Sequence, residues 1–234
     1  MMRQTMAAAQ QQGGGGGGAA VYVEEDFTLT TTGNLTTNNL AVDELGGGWL
    51  GDPASFNYLA DGSGVRSAAT NTRSVVVETA GREDVQVTLL AVIERRGTGL
   101  QKWNGIVVRA TGSGRTDGLS VTFSGGTTDP DLTLYDGNVD STVLKTWDLS
   151  ALLTTQPVEK DTVSLVMVCD GDNITLYSVA VNGGPVEVVD DTYTLTGAVA
   201  TAHGAGSGAD WYGLQGGRSY PDITKYFKVE TIPA

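Results

Sequence analysis

The chain has 234 residues, among them 33 glycines, 27 Asp plus Glu, 14 Lys plus Arg, one His and one Cys, for a formal net charge of −13. An acidic surface repels nucleic acid and anionic membranes unless a local basic patch intervenes, and the sequence offers no such patch. One cysteine excludes an intrachain disulfide framework, one histidine excludes every two-histidine zinc motif, and the excess of Gly, Thr and Val favours short strands joined by turns over helix.

Residues 1–20 stand apart. Met1 to Gln12 suits a short helix, which Gly13 to Gly18 would stop. Ala7 to Ala9 is too short for the apolar core of about 7–15 residues that a signal peptide needs. No span reaches the roughly 18 apolar residues of a transmembrane helix. The chain therefore reads as soluble and without a conventional export signal. Fixing six glycine backbones costs about 6–12 kcal/mol, and glycine buries almost no apolar area in return, so an ordered arm calls for a partner. The expected organisation is a docking arm over 1–20 and one domain over 21–234. Arg3, Gln4, Met6, Gln10, Gly13 and Gly18 are the expected arm contacts to that partner.

From Val21 onward the pattern is β. Val85, Val87, Leu89, Ala91 and Ile93 alternate with Gln86, Thr88, Leu90 and Val92, which predicts a strand with one strongly apolar face. Leu119 to Phe123 alternates in the same way, and only Leu149 to Thr155 suggests a helical turn. Val163 to Cys169 and Ile174 to Val181 flank Asp170-Gly171-Asp172-Asn173, a hairpin with a four-residue Asp/Gly/Asn connection. Cys169, at the end of an apolar run, is expected to be a buried, inert thiol. Tyr226 to Ile232 closes the chain as a strand with Lys228 and Glu230 on the face opposite Phe227 and Val229. Strands and turn signals at this spacing predict an all-β, two-sheet antiparallel β-sandwich with an extended N-terminal arm.

The chemistry-bearing residues are sparse. The jelly-roll glucanase pattern Glu-x-Asp-x-x-Glu sets carboxylates on one strand face; the nearest stretch, Glu24 to Leu29, has Leu29 where the acid should be, and Glu187 to Asp191 is wrongly spaced. Glu83-Asp84 and Asp129/Asp131 read as solvated turn carboxylates. His203 is the only imidazole a serine triad could use, no nucleophile elbow accompanies it, and it reads as a loop histidine. These absences predict a protein without catalytic activity. Calcium is the metal to weigh, at Asp170 to Asn173 or Asp129-Pro130-Asp131, yet turn chemistry accounts for both, so no cofactor is expected. For a glycan, an exposed aromatic flanked by Asn or Asp is the requirement. Trp103 with Asn104 is the first candidate and Trp211 the second, whereas Trp49 and Trp147 read as core.

Asp26-Phe27-Thr28, Gly47-Gly48-Trp49, the hairpin at Asp170 to Asn173 reaching Val181-Asn182-Gly183, Trp211-Tyr212-Gly213-Leu214 and the terminal Tyr226-Phe227-Lys228-Val229 follow one another in the order of a known group. The chain resembles the concanavalin-A-like, laminin-G-like jelly rolls found in lectins, glycan-binding modules and bacteriophage surface proteins. With the glycine-rich arm, the resemblance implies a noncatalytic virion protein. It would be displayed on the phage capsid surface in decoration or fibre fashion, or on the tail, after assembly in the host cytoplasm. Implied partners are the major capsid or tail proteins of the same particle and further copies of the chain, a trimer by analogy. A carbohydrate-binding adhesin recognising cell-surface glycans is the alternative.

Overall fold

The computed structural model describes residues 19–28, 33–36, 42–43, 48–67, 73–93, 105–114, 117–125, 130–137, 141–158, 160–216 and 223–233. In chain order the elements are β1 (Val21–Glu25), β2 (Val42–Asp43), β3 (Leu50–Gly51), β4 (Phe56–Tyr58), β5 (Val65–Ser67), β6 (Arg73–Glu78), β7 (Val85–Val92), β8 (Gly105–Ala110), β9 (Leu119–Gly125), β10 (Pro130–Asp136), β11 (Thr142–Trp147), α1 (Leu149–Leu152), β12 (Thr162–Asp170), β13 (Asn173–Val181), β14 (Glu187–Thr194), α2 (Gly197–His203), β15 (Trp211–Gly216) and β16 (Ile223–Glu230). They form two antiparallel sheets. The first runs β14-β13-β12-β7-β16-β1-β2, with β5 and then β4 attached beside β16; the second runs β11-β10-β9-β8-β15-β6-β3. This is the two-sheet jelly-roll sandwich that the strand pattern predicts.

Period-two alternation does the sorting. In β7 and β12, Val85, Val87, Leu89 and Ala91 face the same core as Val163, Leu165, Met167 and Cys169. The second sheet answers with Ile106, Val108, Leu119, Val121, Phe123, Leu132, Leu134, Tyr212 and Leu214. Toward the β1/β16 side, Phe27 stacks on Trp49 with ring centroids 6.1 Å apart, and Trp49 lies 5.8 Å from Phe227. These aromatics bury the largest areas per residue and weld the ends of the chain together. Ala20 joins the weld, donating to Thr231 Oγ1 at 3.0 Å and accepting from the Thr231 amide at 2.9 Å.

Two local departures from the sequence reading matter. The central hairpin keeps pairing to Asp170↔Asn173, so its connection is the two residues Gly171 and Asp172, with Gly171 at φ +56°. The four-residue connection is thus shorter than expected, because Gly171 supplies the left-handed conformation a tight turn needs. In β8 the register against β15 slips between Trp211↔Ala110 and Gly213↔Val107, a bulge that inserts one extra residue. Arg109 sits in it at φ +54°. Strict alternation would aim Arg109 away from the core; the bulge turns its guanidinium inward, where it is fully buried.

Candidate functional site

The outer face of the second sheet carries the most unusual constellation. Ser74, Gln215, Gly105, Thr122 and Thr133 follow one another across β6, β15, β8, β9 and β10, each the cross-strand partner of the next. At about 4.8 Å per strand the row spans about 19 Å. One step along the strands lies a second row, Val76, Gly213, Val107, Ser120 and Tyr135. Beyond it Trp211 pairs with Glu78 on one side and Ala110 on the other, and packs half-buried on Val76, Val107 and Ala110 as an apolar island separate from the main core. The face thus has a half-buried aromatic at one end and, at the other, hydroxyls with an amide on side chains that are 0–4% exposed.

Glycine sets the floor between them. A Cβ on Gly213 would come 1.9 Å from the Val75 carbonyl oxygen, and one on Gly105 1.9 Å from that of Val121. Neither position can carry a side chain without moving a neighbouring strand, so bare backbone separates Gln215 from both Thr122 and Trp211. Some polar groups on the face are satisfied within the protein: Ser120 donates to the Gly137 carbonyl, and the Thr133 and Thr146 hydroxyls lie 3.5 Å apart. Both amide atoms of Gln215 and the hydroxyl of Thr122 have no partner, although Gln215 is 1% exposed and Thr122 0%.

A cleft of about 330 Å³ lies on the outer face of the first sheet, lined by Asp170, Asp190, Asn173, Thr175, Tyr177 and Thr192 among others. Asp190 holds φ +49°. Two of its polar side chains are paired with each other, Thr175 and Thr192 at 2.8 Å, and Asn173 accepts from Thr194 at 2.8 Å.

At one end of the sandwich, the buried Arg109 gathers three loops. Its Nη2 donates to the Gly171 carbonyl at 2.9 Å and to Asp84 Oδ1 at 3.2 Å, and Nη1 lies 3.9 Å from Glu83 Oε2. Glu83 in turn accepts from the amides of Gly206 and Gly208 at 2.6 and 2.5 Å, and its carbonyl accepts from the Tyr212 hydroxyl at 2.7 Å. Burial pushes the Cys169 thiol up to about 11, against a partial pull downward from the Arg109 charge. Cys169 is buried, as its apolar run predicts. His203 is not a loop residue: it ends α2, buried, with Nδ1 2.9 Å from the Arg109 carbonyl and Nε2 3.6 Å from Asp136. Glu83 and Asp84, read from sequence as solvated turn carboxylates, are the counter-charges of this network.

Of the sequence candidates for a glycan, Trp211 lies on the second-sheet face, while Trp103 and Asn104 lie outside the described residues, as do the arm positions Arg3, Gln4, Met6, Gln10, Gly13 and Gly18. Gln215 and Thr122 were not foreseen. Alternation in Trp211-Tyr212-Gly213-Leu214-Gln215 places Trp211 and Gln215 on one face, but only the β15/β8/β9 pairing brings Thr122 into line with them. At the hairpin weighed for calcium, protein donors engage three of the oxygens: Gly171 O takes Arg109, Asp172 Oδ1 takes the Ala205 amide, and Asn173 Oδ1 takes Thr194. Among the described residues no group of three or more His, Cys, Asp or Glu is arranged to hold a metal. Asp129 of the other candidate lies outside them.

No protein-family model matches the chain, and no curated protein matches it in sequence. Solved structures do share its fold. One is the GH43 protein BlXynB from Bacillus licheniformis, with TM-score 0.53 and 12% identity over 89% of this chain and 39% of that one. Another is the catalytic domain of an endo-1,3-β-glucanase (laminarinase) from Thermotoga petrophila, with TM-score 0.51 and 10% identity over 92% and 99% of the two chains. The enzymatically active domain of tailspike protein 2 from bacteriophage CBA120 aligns at TM-score 0.46 and 13% identity, over 92% and 29%, too weakly to argue from. The chain spans well under half the length of the Bacillus protein it matches. At these identities the likeness is one of fold: a β-sandwich jelly roll.

The comparison corrects one expectation. The sequence predicts a protein without catalytic activity, yet the GH43 protein and the laminarinase that share its fold are glycoside hydrolases, and the laminarinase match covers a whole catalytic domain. The missing Glu-x-Asp-x-x-Glu strand excludes that one arrangement of carboxylates and no other; Asp170 and Asp190 line one cleft from β12 and β14, with β13 between them.

Proposed function

We propose that the chain recognises carbohydrate on the outer face of its second sheet. The observation that carries the reading is the sharing of one face by the Trp211 platform and the polar row Ser74, Gln215, Thr122 and Thr133. A sugar ring has an apolar C–H side that packs on an aromatic and a polar rim that needs fixed donors and acceptors. The row itself is withdrawn from water, with Ser74, Gln215, Thr122 and Thr133 at 0–4% exposure, so the half-buried Trp211 is the end of the face a sugar can reach. The jelly-roll likeness to glycoside hydrolases supports the choice of ligand class.

The wider setting we propose is a bacteriophage particle, with the domain displayed on the capsid or tail and residues 1–20 docked into a capsid or tail protein, in a homo-oligomer. The Gly13–Gly18 run ahead of the first strand supports it. Deleting 1–20 should abolish incorporation into particles and leave a folded domain; unchanged incorporation rules the arm out.

Thermal-shift screening of the full chain against neutral and N-acetylated oligosaccharides tests the recognition reading. A ligand at 100 times its Kd stabilises the fold by about 2.7 kcal/mol. Reducing ends measured in the same wells report hydrolysis, and an Asp170→Asn or Asp190→Asn loss of turnover would assign it to the first-sheet cleft. Absence of any shift across the screen contradicts carbohydrate recognition.

A further inference from the structure

We infer that the cleft on the first sheet is the seat of the chain's own N-terminal arm, which in the free protein lays Arg3 and Met6 into it. The inference goes beyond carbohydrate recognition and does not depend on it. Around Tyr177 the β13 ladders slip against both neighbours, between Val166↔Ser178 and Met167↔Leu176 on one side and between Leu176↔Asp191 and Ser178↔Val188 on the other. A bulge of this kind bends the strand and opens the face, and the cleft of about 330 Å³ lies there. It is open to solvent: Asp170, Asp190 and Thr192 are exposed, and Val168, Tyr177 and Ile232 are half-buried. Ligand pockets run to about 300–1,000 Å³, so this one suits a few side chains. Its lining asks for a cation beside apolar groups. Val168, Tyr177 and Ile232 form the apolar part, and Asp170 and Asp190 the charged part. Among the described residues no ion pair reaches either carboxylate, and Lys145 is taken by Asp191.

Residues 1–18 lie outside the described residues, and their composition complements the cleft. They hold no carboxylate, one cation, Arg3, and three of the chain's four methionines, Met1, Met2 and Met6. Methionine is unbranched and fills irregular apolar gaps, and a guanidinium is attracted both to carboxylates and to the face of a tyrosine ring. The root of the arm decides what it can reach. Val21, Glu230, Gln86, Val168, Thr175 and Thr192 are successive cross-strand partners. The root therefore stands in the same row as the cleft, four to five strand spacings from its far side, about 19–24 Å. The glycine-rich stretch 7–20 has a root-mean-square length of about 20 Å. A tether whose length matches the span presents its end at an effective concentration of roughly millimolar, which favours the chain's own arm over that of a second copy.

A nitroxide attached at Met6→Cys in the full, nitrogen-15-labelled chain tests the inference; Cys169 is buried and takes no label. In dilute protein the amide signals of Val168, Thr175, Tyr177 and Thr192 should be lost to paramagnetic broadening, while those of Val121 and Phe123 on the other sheet stay sharp. Gln10→Cys labelled in the same way should give the same pattern, which covers the case of a label at Met6→Cys that blocks docking. Arg3→Gln, or Asp170→Asn together with Asp190→Asn, should restore the lost signals. Cleft amides that stay sharp with both labels overturn the inference, as does broadening confined to the second sheet. Broadening of nitrogen-15 chains by a label carried on unlabelled copies in a mixture overturns the assignment to the chain's own arm in favour of a second copy's. Signals still lost in the charge variants overturn the pairing of Arg3 with the two carboxylates. Sugar binding is read by separate titration, so failure here leaves carbohydrate recognition standing.

Discussion

Replacing Arg109 by Ala is the sharpest perturbation of the fold. The guanidinium is fully buried and is the cation on which Glu83, Asp84 and the Gly171 carbonyl converge, from the loop ahead of β7 and the β12/β13 turn. Glu83 passes the constraint to a third loop through the Gly206 and Gly208 amides. Removing one member of a buried charged network typically costs about 3–5 kcal/mol, since the partners lose their compensation. For a chain of this size, at about 2–4 °C per kcal/mol, Tm should fall by about 6–20 °C. Asp84→Ala should behave differently. Its carboxylate is 58% exposed, and solvent-screened pairs are worth about 0–1 kcal/mol. Arg109→Lys should fall between the two, keeping charge but losing the fork that reaches two loops. Urea denaturation of the three variants reads the costs. An Arg109→Ala variant within about 1 kcal/mol of the parent, or one no worse than Asp84→Ala, refutes the view that this cation organises the end of the sandwich.

Other consequences are equally direct. Gly213→Ala and Gly105→Ala should each cost about 1–3 kcal/mol by overpacking against a neighbouring strand, whereas Gly33→Ala, with open space around its Cβ, should stay within about 0.5 kcal/mol; equal effects at all three sites would count against the close strand approach. Burial raises the Cys169 thiol from its ordinary 9.0 to about 11, so its contribution is fully present below pH 9 and is lost as pH rises through about 11. On the order of 2–3 kcal/mol is at stake, and Cys169→Ala should show a shallower fall over that window; identical slopes would contradict it. Because Arg109, Ala205 and Thr194 engage the hairpin oxygens, we expect a chelator to leave Tm unchanged, and a drop restored by calcium would reverse that expectation.

Much of the architecture was legible because alternation survives in the strands that matter. The stretches around Val87, Val121 and Met167 each announce a strand with one apolar face, and Trp49 and Trp147 are buried as their contexts suggest. What escaped has physical reasons. The helix α2 carries Ala198, Ala200 and Ala202, good helix formers, but the glycines on both sides of it read as loop, and His203 was misplaced with it. Nothing local marks the β8 bulge, so Arg109 reads as an outward charge until pairing with β15 forces the extra residue in. The polar row depends on pairings between β15, β8 and β9, and Gln215 and Thr122 lie nearly a hundred residues apart in the chain; alternation assigns each a face but cannot say that the faces are the same one.

Titrating an oligosaccharide identified by the screen into the parent, Trp211→Ala and Tyr177→Ala decides most directly which surface recognises carbohydrate. Trp211 sits on the second-sheet face and Tyr177 in the first-sheet cleft. Carbohydrate recognition on the second sheet predicts that Trp211→Ala weakens binding at least about tenfold, the loss of an aromatic platform, while Tyr177→Ala binds like the parent. Undiminished binding by Trp211→Ala with loss in Tyr177→Ala would contradict it and move the site to the opposite sheet.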